Sequence, residues 1–259
     1  MYKILSIAGS DCSGGAGIQA DLKTIAAHGM YGMAVITSLT AQNTVCVSDI
    51  FDVPADFVKK QIYSVFTDIF PDAVKTGMVS NSEIIHAIAE YFETFKPQNI
   101  VVDTVMISTS GNRLISENAC DTLINELLPL ADIITPNIPE AEFLSEMKIV
   151  SDDSRLYAAE KIASMTKGAV LIKGGHSDKN SDDMLYMDGQ PYFFKSAKID
   201  NPNTHGTGCT LSSAIACNLA ENHDIKKAVE NAKSYITGAI EYGLDIGKGS
   251  GPLNHLYKL

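Results

Sequence analysis

Residues 204–210 read Thr-His-Gly-Thr-Gly-Cys-Thr and run directly into a stretch of helix formers, Leu211-Ser-Ser-Ala-Ile-Ala-Cys-Asn-Leu-Ala. Glycines that open a helix leave backbone N–H groups unpaired at the positive end of the helix dipole, with nothing bulky to shield them. An anion the size of a phosphate can then sit on the backbone itself. Cys209 follows the second glycine, and a helix N-terminus can pull a thiol below its free pKa of ~8.5. A thiolate there could accept the proton of an attacking hydroxyl, so the loop and the thiol together hold the parts that phosphoryl transfer needs. The plainer alternative, a small buried hydrophobe, suits Cys217 well and Cys209 less well.

Other loops carry polar groups at strand ends. Gly14-Gly-Ala-Gly17 follows the first strand, but it fits neither G-x-G-x-x-G nor a Gly-Lys-Ser/Thr phosphate loop. Asp21, four residues on, could accept a hydrogen bond from a ligand amine or merely favour its helix dipole, with equal weight. Gln42 follows the second strand and offers a donor and an acceptor to the edge of a heterocycle. Asn43, beside it, is explained as well by turn chemistry. Asp103 ends the run Ile100-Val-Val-Asp, where an acid suits water-mediated magnesium binding. Asn137 and Glu140, in Thr135-Pro-Asn-Ile-Pro-Glu, could serve the same ion or nucleotide phosphates, or could form a capping box. Lys173-Gly-Gly-His176 adds a cation and two glycines suited to a nucleotide, with His176 read as a surface residue.

These loops must be held by regular elements. Apolar runs predict strands over 3–8, 33–39, 72–75, 99–103, 133–134 and 169–173, with a weak β excursion over 44–53. Helical spacing predicts helices over 18–28, 55–68, 82–95, 117–128, 154–165, 207–221 and 224–242. Asp188-Gly189, between 184–187 and 192–195, signals a type I′ hairpin. The glycine-rich tail 247–251 receives no assignment. Strands alternating with helices imply a doubly wound, mostly parallel sheet with helices on both faces, in one α/β domain over 1–259. Ligands in such sheets lie beyond the carboxyl ends of the strands.

The composition is compatible with that plan. A chain of 259 residues can bury roughly three-quarters of its unfolded surface without disulfides or structural metal. Its net charge of −11, from 20 Lys+Arg against 31 Asp+Glu, argues against nucleic acid or an anionic membrane as partner. Mean hydropathy is +0.04, and no window approaches the ~20 apolar residues of a membrane span. Five cysteines, an odd number without metal spacing, read as reduced thiols. A cytoplasmic protein is expected.

Taken together, Ile7-Ala-Gly-Ser-Asp-x-Ser-Gly-Gly-Ala-Gly-Ile-Gln-Ala-Asp-Leu-Lys, Thr40-Ala-Gln-Asn-Thr, Lys75-Thr-Gly-Met, Asp103-Thr-Val-Met, Thr135-Pro-Asn-x-Pro-Glu-Ala-Glu, Lys173-Gly-Gly-His and His205-Gly-Thr-Gly-Cys-Thr-Leu-Ser-Ser-Ala resemble the hydroxymethylpyrimidine/phosphomethylpyrimidine kinases of thiamine biosynthesis, in the ribokinase superfamily. The resemblance implies a ribokinase-like fold. It also implies Mg2+- and ATP-dependent phosphorylation of 4-amino-5-hydroxymethyl-2-methylpyrimidine, and then of its monophosphate. By the same resemblance Gly9, Asp21, Gln42, Met78 and Val105 would hold the pyrimidine. Cys209 would be the base, and Gly206, Thr207 and Gly208 the anion hole. Asn137, Lys173 and Thr207 would meet ATP, Asp103 and Glu140 would lie near Mg2+, and the chain would form a homodimer. Two departures matter. Asp103 is followed by Thr104 where relatives commonly carry proline, and the segment after Met106 lacks the cysteine that some related pyridoxal kinases have. The rival readings are a pyridoxal or pyridoxine kinase of the same fold, a non-catalytic binding protein, and a nicotinamide-dependent oxidoreductase disfavoured by the missing fingerprint.

Overall fold

The short apolar runs Ala73–Thr76 (β4), Ile100–Val102 (β5), Ile133–Ile134 (β6) and Ala169–Ile172 (β7) are buried at every position. Strands covered on both faces need apolar residues on both faces, which is why these runs do not alternate. In the computed structural model, which describes residues 1–106, 115–174, 182–196 and 199–258, they form the middle of a nine-stranded sheet. β1 (Lys3–Asp11), β2 (Tyr31–Gln42), β3 (Val47–Asp52), β8 (Asp183–Met187) and β9 (Gln190–Phe194) complete it, in the order β3-β2-β1-β4-β5-β6-β7-β8-β9. β2 through β7 run parallel, and the antiparallel β3 and β8–β9 close the two ends. Asp188 and Gly189 make the β8–β9 turn with φ of 54° and 75°, as a type I′ turn requires.

Helices cover both faces. α2 (Ala55–Asp68), α3 (Ser82–Phe95), α4 (Glu117–Thr122), α5 (Ile138–Ser145) and α6 (Asp152–Ala163) bury Ile62, Ile88, Leu144 and Ile162 in one core. α1 (Gly17–Ala27), α7 (Thr207–Asn222) and α8 (Ile225–Glu241) bury Ile25, Ile215 and Ile236 in the other. α7 is buried at every residue from Thr210 to Ala220. Its small residues, Ser212, Ser213, Ala214 and Ala216, let it lie close to the sheet on one side and to α1 and α8 on the other.

The helix expected over 117–128 is α only to Thr122. It widens into a π turn over Leu123–Leu127 and tightens into a 3-10 turn over Leu128–Leu130, where Pro129 has no N–H with which to continue the ladder. α5 was not among the expected helices, although its cap was recognised as an alternative. No described helix is long and apolar enough to cross a membrane, and all five cysteines are free.

Strand order reverses at β1. The chain leaves β1 for β2 on one side and returns to place β4 on the other. The carboxyl ends of β1 and β4 thus flank the crevice in which doubly wound sheets receive ligands, and α7 points its N-terminus there.

Candidate active site

α7 begins at Gly206, whose φ of 85° lies in the left-handed region. Its first rung is the Thr210 N–H donated to the Gly206 carbonyl at 2.9 Å, and this rung encloses Thr207, Gly208 and Cys209. Thr207 directs its N–H and its hydroxyl to the Thr204 carbonyl, at 3.2 and 2.6 Å. The Gly208 and Cys209 N–H groups have no partner among the described residues and remain for a ligand. Of the expected Gly206, Thr207 and Gly208, only Thr207 thus has its N–H engaged; the Gly206 N–H too has no partner among the described residues. Gly206 can have no side chain, because a Cβ there would strike the Gly15 carbonyl oxygen. The two glycine loops interlock, backbone against backbone.

An ion pair faces the cradle. Lys173 Nζ lies 2.9 Å from Asp103 Oδ1, which also accepts from the Thr135 hydroxyl at 3.1 Å. A Cβ placed on Gly208 would be 3.6 Å from both Asp103 Oδ2 and Lys173 Nζ. Burial opposes the Asp103 charge, yet Lys173 and Lys75 hold its carboxyl below the usual range. Burial likewise works against Lys173, but Asp103 and Glu140 raise its pKa above normal. Asn137 pairs with Lys173 as an isolated bridge, so it sits at the same strand-end corner.

Cys209 is half-buried beside this pair. Desolvation pushes its thiol up to about 11, although Lys75 and a hydrogen bond from the Gly17 N–H pull it down. The expected depression below the free value is therefore reversed. Asp21 and Asp103 add to the upward push. The sulfur lies between two helix N-termini, its own and that of α1.

Asp21 does not face the crevice. It is fully buried, and its carboxylate accepts from Lys75 Nζ at 2.8 and 3.0 Å, from Ser6 Oγ at 2.5 Å and from Ser213 Oγ at 2.8 Å. No oxygen is left for a ligand amine; the carboxylate instead balances Lys75. That lysine was not singled out in the sequence, although a lysine inside the apolar run Ala73-Val-Lys-Thr has to find a buried partner.

Gly9 and Met78 meet across the β1–β4 crevice, where a Cβ on Gly9 would lie 2.8 Å from Met78 Cε and 2.7 Å from Ser38 Oγ. The Met78 carbonyl accepts the Thr37 hydroxyl at 2.9 Å. Gln42 Oε1 accepts from Thr40 at 3.0 Å, and its Nε2 lies 3.3 Å from His205 Nε2. That imidazole is also 2.9 Å from Asp11 Oδ2. Burial raises the Asp11 carboxyl, but His205 and Ser13 bring it down to about 2. Val105 is bracketed by two contacts to Glu140, which accepts from the Thr104 hydroxyl at 2.9 Å and from the Met106 N–H at 3.0 Å.

The family model for phosphomethylpyrimidine kinase matches residues 11–254. The chain belongs to the phosphomethylpyrimidine kinase family. It is 43% identical to the hydroxymethylpyrimidine/phosphomethylpyrimidine kinase of Haemophilus influenzae, over 98% of this chain and 96% of that protein. It is 46% identical to the thiamine biosynthesis bifunctional protein ThiED of Geobacter sulfurreducens over 98% of its own length, but spans only 52% of that protein. The crystal structure of phosphomethylpyrimidine kinase from Clostridium difficile superposes with a TM-score of 0.84 at 48% identity, covering 93% of this chain and all of the other. An ADP complex of Bacillus subtilis pyridoxal kinase superposes at 0.92 with 36% identity, covering 98% and 97%. The chain has a kinase fold of the ribokinase type.

For a phosphomethylpyrimidine kinase the metal question turns on carboxylates. Among the described residues no three His, Cys, Asp or Glu gather into a metal site. Nucleotide-bound magnesium needs no such cage, since it keeps several waters and takes one or two carboxylates besides the phosphates. Asp103 could supply one such carboxylate: its Oδ2 lies toward Gly208 and, among the described residues, accepts only the Ser212 hydroxyl, at 3.2 Å. Glu140 is engaged otherwise. It forms a complete capping box with Asn137, accepting the Asn137 N–H at 2.9 Å while Asn137 Oδ1 accepts the Glu140 N–H at 2.9 Å. With Thr104 and Met106 added, its Oε2 accepts two hydrogen bonds and its Oε1 one. His176 and the segment 107–114 lie outside the described residues.

Proposed function

We propose that this kinase transfers the γ-phosphoryl group of ATP to the hydroxymethyl oxygen of 4-amino-5-hydroxymethyl-2-methylpyrimidine, and then phosphorylates the monophosphate to the diphosphate, for thiamine biosynthesis. The observation that carries this reading is the pair of unengaged N–H groups of Gly208 and Cys209. They sit between the Asp103–Lys173 pair on one side and the Gly9–Met78 crevice on the other. That placement supports phosphate on the cradle, nucleotide beyond Lys173 and acceptor beside Met78.

In this reading Gly9, Gln42, Met78 and the Val105 backbone hold the pyrimidine edge and ring, and Asp21 acts at a distance by fixing Lys75. Asn137, Lys173 and Thr207 lie on the ATP side. Mg2+ would be held through Asp103, with Glu140 bracing the neighbouring segment, and would supply charge neutralisation of the phosphates. The thiolate form of Cys209 takes the hydroxyl proton as the new oxygen–phosphorus bond forms and the bond from the γ-phosphorus to ADP breaks. Such transfer is loose, so proton removal is needed late and a small thiolate population suffices. The two free N–H groups stabilise charge on the migrating group where it develops.

Product analysis with Mg-ATP and the hydroxymethylpyrimidine, resolving mono- from diphosphate, tests the proposal. The pyridoxal kinase reading has support from the Bacillus subtilis neighbour. A kcat/KM for pyridoxal about ten or more times that for the pyrimidine would reverse the choice. We place the enzyme in the cytoplasm as a single-domain homodimer without nucleic acid or membrane partners; sedimentation tests the assembly.

A further inference from the structure

The glycine-rich tail, which the sequence left unassigned, is pinned along its length. The Lys248 and Gly249 N–H groups donate to Thr44 Oγ1, both at 3.1 Å. Ser250 Oγ donates to the Pro202 carbonyl at 2.9 Å and accepts the Thr204 N–H at 3.2 Å. The Gly251 N–H donates to Asn203 Oδ1 at 2.9 Å. Beyond it Leu253 and His255 are buried, at 1% and 3% exposure, and the His255 carbonyl accepts the Tyr235 hydroxyl at 2.7 Å.

Two further bonds fall on either side of residues 206–209. Before them, the His205 N–H donates to the Gly251 carbonyl at 3.2 Å. After them, Thr210 Oγ1 lies 3.0 Å from His255 Nε2 in a buried contact. His255 also bonds the Leu253 backbone; assigning Nδ1–H as the donor to that carbonyl leaves Nε2 to accept the Thr210 hydroxyl. Thr210 is the residue whose N–H closes the first rung on Gly206. The tail therefore grips the first residue before the cradle and the first residue after it.

We propose that residues 249–255 form a strap that positions the phosphate cradle, and that His255 is a positioning residue acting on phosphoryl transfer through Thr210. This rests on the reading of residues 206–209 as that cradle. His255 touches neither substrate nor nucleotide. It fixes the direction in which the Gly208 and Cys209 N–H groups point, and donors misaimed by a fraction of an ångström lose most of their effect on a transition state.

Thr210→Val keeps the shape and removes the hydroxyl, whereas Thr210→Ser keeps the hydroxyl. His255→Leu removes the acceptor, whereas His255→Gln offers one near the Nε2 position. The strap predicts a kcat about tenfold lower in Thr210→Val and His255→Leu, with KM for both substrates within about twofold. It also predicts recovery to within about threefold in Thr210→Ser and His255→Gln, and a Thr210→Val/His255→Leu double variant no slower than either single one. Amide hydrogen exchange at Thr207 and Thr210, whose N–H groups are bonded to the Thr204 and Gly206 carbonyls, should quicken in Thr210→Val and not in Thr210→Ser. Unchanged kcat and unchanged exchange in Thr210→Val, assayed well below its melting temperature, would overturn the strap; this isosteric variant decides the matter even where His255→Leu does not fold. A wild type inactive on the pyrimidine would refute the proposed function instead, and exchange would still judge the strap.

Discussion

The carbonyl oxygen of Gly15 occupies the space where a side chain on Gly206 would begin. Two loops nearly 200 residues apart in sequence, one after β1 and one before α7, are thus locked against each other by the absence of side chains. Gly206→Ala should cost about 1–2 kcal/mol for the left-handed backbone alone, and more for the collision. Because the loop must retreat to relieve it, kcat should fall on the order of a hundredfold, as when an oxyanion donor is lost. Denaturant titration and steady-state kinetics check both numbers, and near-parental turnover would contradict the interlock.

Cys209 makes a prediction about pH. Its thiol stands at about 11, so the thiolate fraction grows with pH throughout the neutral and moderately alkaline range. If the sulfur is the base, kcat/KM should rise with pH over that range in the parent and stay flat in Cys209→Ala. The variant should also lose about a hundredfold or more in kcat, with ATP affinity little changed. An alkaline rise that survives in Cys209→Ala would assign it to another group.

Lys75 and Asp21 are both fully buried and within 2.8 Å of each other. Removing one member leaves the other charged, desolvated and unpaired. Lys75→Met should therefore destabilise the fold by about 3–5 kcal/mol. Adding Asp21→Asn should return part of that loss, which a double-mutant cycle in urea would measure. Strict additivity would mean that the two residues do not depend on each other.

His255 gives stability a pH dependence of definite sign. Burial holds its imidazole down to about 4, from 6.5, so between those values the unfolded chain binds the proton and the folded chain does not. Stability from this group is complete above about pH 6.5 and is lost as the pH falls toward 4. From about pH 7.5 to about pH 5 the loss should be roughly 2 kcal/mol. His28, also lowered by burial, acts in the same direction. His255→Gln should flatten the unfolding midpoint across this range, and an unchanged slope would refute the assignment.

How much of this was legible in the sequence depends on range. α2 and α3 begin and end where helical periodicity predicts, and Asn81 caps α3, because those signals are local. Asp188-Gly189 likewise states its own turn. The Gly206 loop was legible for the same reason, since glycines before helix formers speak for themselves. Asp21 was not. Whether an acid at the start of a helix meets a ligand or a lysine is decided by a strand 54 positions away. Glu140 shows the intermediate case: both the ion and the cap were readable, the cap is present, and the Thr104 and Met106 donors that join it arrive from another strand end. The tail over 247–251 has almost no side chains to read, and its order comes from Thr44, Asn203 and His205.

α7 is enclosed on every side from Thr210 to Ala220. A helix so confined cannot lean toward a nucleotide or follow a departing phosphate without breaking both cores at once. It behaves as an anvil: the groups that travel during turnover must be the substrates and the loops around the rim. Diversification toward other small alcohols can then proceed at that rim while the striking surface stays as it is.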